Sequence, residues 1–251
     1  MKNFSIILST VAIILATVAI VSVFKVKSPV VTAAPMAVAD GVVSQSDLAS
    51  VLSQNPKIVA DALQAYEQQQ REAQEKAAAE LLAKYAGEIS SEANVPFIGP
   101  KDAKVTVTEF FDFSCGYCKR LSPEIEKIIA DNADVKFVFK PLTFVSPVSS
   151  YQAKAGFAAF NQGKFLEFYK AVMEGDASSE ELVDEIAKNA GIDFDKYKAD
   201  VASDEVSKRI SDVAAFAQKI QVNGVPAVFI NGKQAHGRSA AELQADIDAA
   251  K

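Results

Sequence analysis

The chain has 251 residues and a formal net charge of −6, and 49 % of its residues are hydrophobic. This length allows one or two domains with a sizeable core, and the acidic balance lacks the basic signature of a nucleic-acid-binding protein. Two cysteines are too few for a disulfide-rich scaffold.

Residues 1–39 are predicted to be an export signal. Lys2 precedes an uncharged run, Phe4–Phe24, which has the character of a signal peptide or a membrane anchor. An Ala-Val-Ala sequence that ends at Ala39 is a suitable cleavage site, so cleavage is the preferred interpretation and a retained anchor is the alternative. In both cases the rest of the chain is expected in an envelope compartment where disulfides form.

Residues 40–87 are predicted to form a helical oligomerisation segment. Ser46 is expected to cap a short first helix. Asn55 and Pro56 have the residue types that begin a second helix, which Gly87 is expected to end. Seven residues of this helix follow the four-three spacing of a weak coiled-coil seam: Val59, Leu63, Tyr66, Gln70, Ala73, Ala77 and Glu80. At about 45 Å such a helix is too long for a small domain to cover, so a partner copy is expected, with a helix folded back on the domain as the alternative.

Residues 88–104 are predicted to be a linker, because Pro96, Gly99 and Pro100 interrupt any regular pattern there. The next domain is expected over residues 105–251. Its first part has the pattern of a β-α-β unit, with a strand at Val105–Phe113, a helix to about Asn132 and a second strand at Val135–Phe139.

Helical patterns replace strands over about residues 147–220, where Ser178-x-x-Glu181 has the pattern of a capping box. A strand pattern returns at Ala227–Ile230. Asn231-Gly232 then indicates a hairpin turn, and Ser239-x-x-Glu242 is expected to cap a last helix. The sequence therefore predicts an α/β domain whose sheet is interrupted by a helical block.

The only two cysteines, Cys115 and Cys118, lie where the first strand of this domain gives way to a helix. Unpaired amides at a helix N-terminus favour a thiolate, so Cys115 is expected to be the nucleophile and Cys118 the resolving partner. A purely structural disulfide between the two cysteines would add little stability, since closing so short a loop would contribute only about 2 kcal/mol to the free energy of unfolding. A zinc site would lack ligands, because His236 is the only histidine. Transient binding of Cu(I) remains a further alternative.

Other matched positions make residues 105–251 resemble the DsbA-like family of thioredoxin-fold proteins. Glu109 matches that family's buried acid, and Gly224–Lys233 matches the segment whose proline is cis and packs against the disulfide. The helical block lies where that family inserts its helical subdomain. The resemblance implies that Glu109 relays a proton to or from Cys118, with an ordinary ion pair at a strand end as the alternative.

The order of an export signal, a helical segment and a DsbA-like domain resembles the suppressor-of-copper-sensitivity C-type (ScsC-like) family of bacterial envelopes. The dipeptide Gly116-Tyr117 departs from the Pro-His of DsbA and is similar to that of the isomerase DsbC. This resemblance implies a milder oxidant, better suited to attack wrong disulfides. It also places the protein in the periplasm.

The predicted function is that of a thiol:disulfide oxidoreductase, mainly an isomerase or reductase of exported proteins, with a disulfide oxidase as the alternative and a Cu(I)-binding protein as a weaker one. The predicted catalytic residues are Cys115, Cys118 and Glu109, and the predicted substrate-binding residues are Gly116, Tyr117, Val225 and Pro226. An ordinary loop proline is the alternative for Pro226. The expected partners are cysteine-containing substrates, a membrane redox partner that resets the cysteines, and further copies of the chain through residues 41–87. No cofactor, no bound metal and no nucleic acid is expected.

Overall fold

The computed structural model describes residues 44–251, and the predicted export signal, residues 1–39, lies outside them. The structure divides into two units, one ending at Leu63 and the other comprising Gln64–Lys251. None of the helices in the described part of the chain is both long enough and apolar enough to cross a bilayer.

The described helices are α1 (Gln45–Gln54), α2 (Pro56–Lys84), α3 (Ala86–Ile89), α4 (Gly116–Asp131), α5 (Ser149–Asn161), α6 (Phe165–Glu174), α7 (Glu180–Asn189), α8 (Phe194–Val201), α9 (Asp204–Lys219) and α10 (Ala240–Ala250). The described strands are β1 (Phe97–Ile98), β2 (Thr106–Phe111), β3 (Lys136–Pro141), β4 (Ala227–Ile230) and β5 (Lys233–Gln234).

The strands form a mixed sheet in the order β1-β3-β2-β4-β5. β2 and β3 are parallel, so the chain must cross over between them, and α4 is that crossover. The other pairs are antiparallel. Helices α5–α9 are inserted between β3 and β4. This is the arrangement of a thioredoxin fold with an inserted helical block, as the resemblance implies.

Strand β2 is buried on both faces and separates two hydrophobic cores. Val107 and Phe111 belong to the core that also contains residues of α4 and α6, whereas Phe110 belongs to the core beneath α9. Side chains alternate along a strand, so Glu109 lies on the same face as Val107 and Phe111. The fold therefore directs a carboxyl group into an apolar core.

Two helix boundaries near the start of the described chain differ from the prediction. Ser46 is not the cap of α1 but lies inside it, because the Ser44 hydroxyl accepts the backbone N–H of Asp47 at 3.1 Å. The long helix ends at Lys84, and Gly87 is inside the short helix α3 instead of ending α2. The predicted start of α2 at Pro56 is correct.

A third cap is displaced by one residue. Ser179, not Ser178, caps α7 by accepting the N–H of Leu182 at 3.3 Å. The capping-box pattern favours Ser178, because Glu181 follows it by three residues, whereas Leu182 stands at that spacing after Ser179. The capping box of Ser239 and Glu242 at the start of α10 is confirmed.

Residues 88–104 form part of the folded domain, in contrast to the predicted linker. Ile89 and Val95 are buried, and β1 pairs with β3. Lys136 on β3 binds Glu92 at 2.7 Å, and Lys140 donates to a backbone carbonyl of the same segment at 3.0 Å. The prolines and glycines of this segment predict a linker, whereas the structure contains a strand of two residues there.

The predicted hairpin between β4 and β5 is present, with Asn231 and Gly232 at its turn. Both residues have positive φ, 48° and 79°. A side chain at Gly232 would lie 2.5 Å from the Cα of Ala86, so both the backbone conformation and the space favour glycine there.

Candidate active site

Cys115 lies at the point where β2 has ended and α4 begins. Its backbone is extended (φ −76°, ψ 118°), and its N–H donates to the carbonyl of Asp112 at 2.9 Å. It occupies the N-cap position of α4, and no side chain caps that helix. Since the first-turn amides of a helix have no intrahelical acceptor, a charge on the Cys115 sulfur would be stabilised there.

The two cysteines differ in access, and both are free thiols. Cys115 retains 7 % exposure, whereas Cys118, one turn into α4, is fully buried. Burial raises the pKa of the Cys118 thiol, and the charge of Glu109 raises it further. Cys118 is therefore stable as a thiol and must lose its proton before it can act as a nucleophile.

Val225 and Pro226 lie directly beside Cys115. The Val225–Pro226 peptide bond is cis, the geometry that the resemblance implies. The Cys115 thiol is 3.6 Å from the carbonyl oxygen of Val225, within hydrogen-bonding distance for sulfur. The structure thus brings together residues that are 110 positions apart in the sequence.

Between the cysteines, Gly116 and Tyr117 form the outer surface of the first turn. Tyr117 is 65 % exposed, and the Arg120 guanidinium lies 4.3 Å from the centre of its ring. Lys119 donates to the carbonyl of Gly175 at 3.1 Å. The turn next to Cys115 therefore presents a large aromatic surface to solvent.

Glu109 lies in the interior of β2, opposite Phe139 on β3 and Val228 on β4. Its side chain is buried, and burial raises the pKa of this carboxyl to about 8. Tyr169 donates its hydroxyl to Oε2 at 3.1 Å, and Oε1 has no hydrogen-bond partner among the described residues. No ion pair to Glu109 is found in residues 44–251, which argues against the alternative of an ordinary ion pair.

Tyr169 belongs to the helical block. Its ring packs in the core against four phenylalanine rings: Phe111, Phe113, Phe139 and Phe165, with centroid distances of 5.5, 6.1, 5.2 and 5.9 Å. Nothing in the sequence spacing indicates that its hydroxyl would meet a carboxyl 60 residues away.

Asp112 is a second residue that the sequence analysis missed. Its buried carboxylate accepts the N–H groups of Ser114 at 2.8 Å, Phe144 at 3.1 Å and Val145 at 3.0 Å, and the Ser149 hydroxyl at 2.8 Å. These contacts link the segment just before Cys115 to the loop that follows β3. The contact with Ser114 is an Asx-turn, so an aspartate just after the first strand was the available signal.

A groove of about 320 Å³ has Val225 and Pro226 in its lining. Its apolar lining comes from the C-terminal part of α2 and from the chain around the cis-proline: Ala78, Leu81, Leu82, Ile220, Val222 and Phe229. Arg238 and Asn223 add polar groups. The groove can hold apolar side chains beside Val225, whose carbonyl lies 3.6 Å from the Cys115 sulfur.

His236 is on the surface, where Nδ1 lies 2.7 Å from Asp246. In the part of the chain that the structure describes, no group of three or more His, Cys, Asp or Glu side chains is placed to hold a metal ion.

Comparison with known proteins places these features in a family context. The family model described as Thioredoxin matches residues 91–249, more than half of the chain, including both cysteines. The probable disulfide bond formation protein D of Bacillus anthracis is 30% identical over 153 residues, which cover 55% of this chain and 70% of that protein. The chain spans only 22% of the length of two Na⁺/H⁺ antiporters NhaA of Salinispora species, to which it is 32% identical.

Solved structures show the same architecture. A thioredoxin-like oxidoreductase from Silicibacter pomeroyi is 30% identical with a TM-score of 0.60, and the match covers 64% of this chain and 95% of that one. A variant of Proteus mirabilis ScsC is 23% identical with a TM-score of 0.66, covering 84% of this chain and 98% of that one, a likeness that concerns the fold alone. Together these matches confirm the predicted fold class and the predicted resemblance.

Proposed function

Because the chain belongs to the thioredoxin family of thiol:disulfide oxidoreductases, we propose that it exchanges disulfides with exported proteins through Cys115 and Cys118. The observation that carries the proposal is the asymmetry of the pair. Cys115 is the cysteine with access to solvent and lies 3.6 Å from the Val225 carbonyl, whereas Cys118 is buried one turn behind it. A nucleophile must reach its substrate, and a resolving thiol must reach only the nucleophile.

The first step is attack by the Cys115 thiolate on one sulfur of a substrate disulfide. A bond forms between Cys115 Sγ and that sulfur, the substrate disulfide breaks, and its second sulfur leaves as a thiolate. If Cys118 then attacks Cys115 Sγ, the enzyme disulfide forms and the substrate is fully reduced. If another substrate thiol attacks the mixed disulfide first, the substrate disulfide is rearranged and the enzyme is left reduced.

The substrate is proposed to bind as an extended chain. Backbone groups at Val225 are available beside the thiol, as strand addition requires, and the groove that has Val225 and Pro226 in its lining has apolar walls that suit side chains of an unfolded protein. Gly116 and Tyr117 are proposed to contact the substrate on the other side of Cys115, since Tyr117 is largely exposed.

The direction of exchange is proposed to be mainly isomerisation and reduction. Gly116-Tyr117 contributes no histidine that would stabilise the Cys115 thiolate and make the disulfide strongly oxidising, so the reduced form is expected to be the working form. An oligomer would support this role because facing active sites enclose misfolded chains and hinder an oxidising partner from reaching the cysteines.

The proposed oligomerisation surface consists of exposed apolar side chains on α1 and α2: Leu48, Val51, Ile58, Val59, Leu63 and Tyr66. Neither helix fully buries any residue. A homo-oligomer would cover these side chains. A periplasmic location and a membrane redox partner that resets the cysteines complete the proposal.

Refolding of scrambled ribonuclease by the reduced full-length protein tests the isomerase assignment. Insulin reduction by the reduced protein and oxidation of reduced ribonuclease by the protein carrying a Cys115–Cys118 disulfide are measured in parallel. We expect recovery of ribonuclease activity and insulin reduction. Failure to recover activity, combined with rapid oxidation of reduced ribonuclease, would show a disulfide oxidase instead. Absence of both activities would overturn the whole proposal.

A further inference from the structure

The helical block contributes one polar group to the surroundings of the cysteines, the hydroxyl of Tyr169. It donates to Glu109 Oε2 at 3.1 Å, and both side chains are buried. A buried carboxyl normally satisfies both oxygens, and one left without a partner is costly. In the described part of the chain Oε1 is such an oxygen, and it is the only buried side-chain oxygen or nitrogen without a partner there.

The position of the Tyr169 hydroxyl is well determined by packing. Aromatic rings from β2, β3 and the first turn of α6 surround the phenol ring at centroid distances of 5.2 to 5.9 Å. The ring has little freedom to rotate away from the sheet. Oε2 of Glu109 is therefore held in place, and with it the orientation of the whole carboxyl group.

Few other charged or titratable groups act on this pair. Cys118 of α4 is one of them and lies in the same core as Tyr169. The charges of Glu109 and Cys118 both raise the pKa of the Tyr169 hydroxyl. Glu126 of α4 acts on Tyr169 as well, but it is paired with Lys170 of α6 at 3.3 Å.

The neighbouring strands add no charge, because the residues that pair with Glu109 in the sheet are Phe139 and Val228. Among residues 44–251, Cys118 is thus the only titratable group near the pair that the proposed reaction must deprotonate.

We propose that Tyr169 is a positioning residue for proton transfer: it holds Glu109 by Oε2, so that Oε1 is the oxygen that exchanges a proton with Cys118 Sγ. This inference rests on the proposed function and assigns a catalytic task to the inserted helical block. During resolution the Cys118 thiol transfers its proton to Oε1 and its sulfur bonds to Cys115 Sγ. The bond between Cys115 and the substrate sulfur breaks, and that sulfur leaves with the electron pair.

The reverse reaction uses the same atoms. When the enzyme disulfide oxidises a substrate, a substrate thiolate attacks Cys115 Sγ, and the Cys118 sulfur leaves as a thiolate. The protonated Glu109 carboxyl then returns the proton to Cys118. A carboxyl whose pKa lies near neutrality is suited to work in both directions, and burial raises the pKa of Glu109 to about 8.

Tyr169→Phe tests the inference because it removes the hydroxyl and retains the ring that packs in the core. The hydroxyl lowers the pKa of Glu109, so its loss raises that pKa and leaves less carboxylate to accept the proton. The reaction with excess 5,5′-dithiobis(2-nitrobenzoate) releases one chromophore when Cys115 attacks and a second when Cys118 resolves. We expect the pH profile of the second phase to move by about one pH unit to the alkaline side, which is about tenfold slower at neutral pH.

Tyr197→Phe is the matched control. Tyr197 is also a buried tyrosine of the helical block, and its hydroxyl donates to a carboxylate, that of Asp184, at 3.0 Å. Its removal is expected to leave the profile of the second phase unchanged. In a Glu109→Gln background, Tyr169→Phe is expected to have no further effect on that profile, because its effect acts through Glu109.

The possible outcomes separate this inference from the proposed function. If Tyr169→Phe and the wild-type protein give superimposable profiles, or if Tyr197→Phe shifts the profile equally, Tyr169 only stabilises the fold and the inference is wrong. If the wild-type protein releases no chromophore in either phase, the proposed function fails as well. Cys118→Ala identifies the phases, since it should retain only the first.

Discussion

Helices α2 and α6 differ in an instructive way. α2 has 29 residues and fully buries none of them, whereas α6 has ten and buries five. α6 packs its apolar side on the sheet beside β2 and thereby places Tyr169 against Glu109. α2 instead leaves Leu63 56 % exposed and Tyr66 59 % exposed. Because α6 is buried, the position of a single hydroxyl on this helix affects the site. Because α2 is exposed, its contribution depends on the surface that packs against it.

Cys115→Ala should produce the largest loss of activity among these variants, and it should leave the exposed helix α2 unaffected. Without the Cys115 sulfur no mixed disulfide forms, so insulin reduction should fall to the uncatalysed rate. The mass of the particle in solution, which we propose to depend on α1 and α2, should not change. Residual activity above that of the uncatalysed reaction would contradict the assignment of Cys115 as the nucleophile.

Val59→Glu combined with Leu63→Glu tests the exposed helix. Charges at these positions should prevent copies from packing, so light scattering should give the mass of one chain, and recovery of scrambled ribonuclease should be lost. Reduction of 5,5′-dithiobis(2-nitrobenzoate) should persist, since it needs only the cysteines.

Gln69→Glu is the control for that variant. It adds charge to the same helix outside the predicted seam, and it should leave the mass unchanged. An unchanged mass in the double variant would mean that α2 is not an oligomerisation surface.

Asp112→Asn should show how much one buried carboxylate supports the active site. Asparagine keeps the size but has one acceptor oxygen, and its amide would face the N–H groups of Phe144 and Val145. We expect a loss of about 2–4 kcal/mol in the free energy of unfolding by urea. Asp176→Asn should have a smaller effect, because that exposed aspartate accepts only the N–H of Ser178.

The pH dependence of stability should follow the protonation of Glu109. Its pKa is about 8 in the folded protein and near 4.5 when unfolded, so between these values the folded state holds a proton that the unfolded chain has lost. Stability should be fully present below pH 4.5 and should fall as pH rises towards 8, by about 1 kcal/mol per pH unit.

Glu109→Gln should remove that slope. The carboxylates whose pKa is lowered, such as Asp184 and Glu92, titrate below this range, and the pKa of Lys140 is lowered only to about 8. Equal slopes in the variant and the wild-type protein between pH 5 and 8 would show that Glu109 is ionised in the fold.

Much of the architecture could be predicted because it depends on local patterns. The periodicity around Cys115 places it between a strand and a helix, and Asn231-Gly232 predicts a hairpin that is present. The caps show the limit of this reasoning. Ser44 and Ser179 are the caps although the pattern favours a nearby serine in each case, because the folded geometry decides which hydroxyl accepts the backbone hydrogen bond.

The segment 88–104 shows a different limit. A strand of two residues has no detectable period, and its stability comes from pairing with β3 and from contacts such as that between Lys136 and Glu92. Such contacts join residues about 40 positions apart, so no local pattern reports them.

The spacing of Cys115 and Cys118 at a strand-to-helix boundary predicts a reactive thiol pair, and the resemblance to the DsbA-like family adds Glu109 and Pro226 as its expected neighbours. The partners of the two buried carboxylates came only from the folded structure. Tyr169 reaches Glu109 across 60 residues, and Asp112 collects donors from a loop more than 30 residues away. A buried polar group needs a hydrogen-bond partner, and that partner can come from any segment that packs beside it. Local sequence patterns do not indicate which distant segment this is.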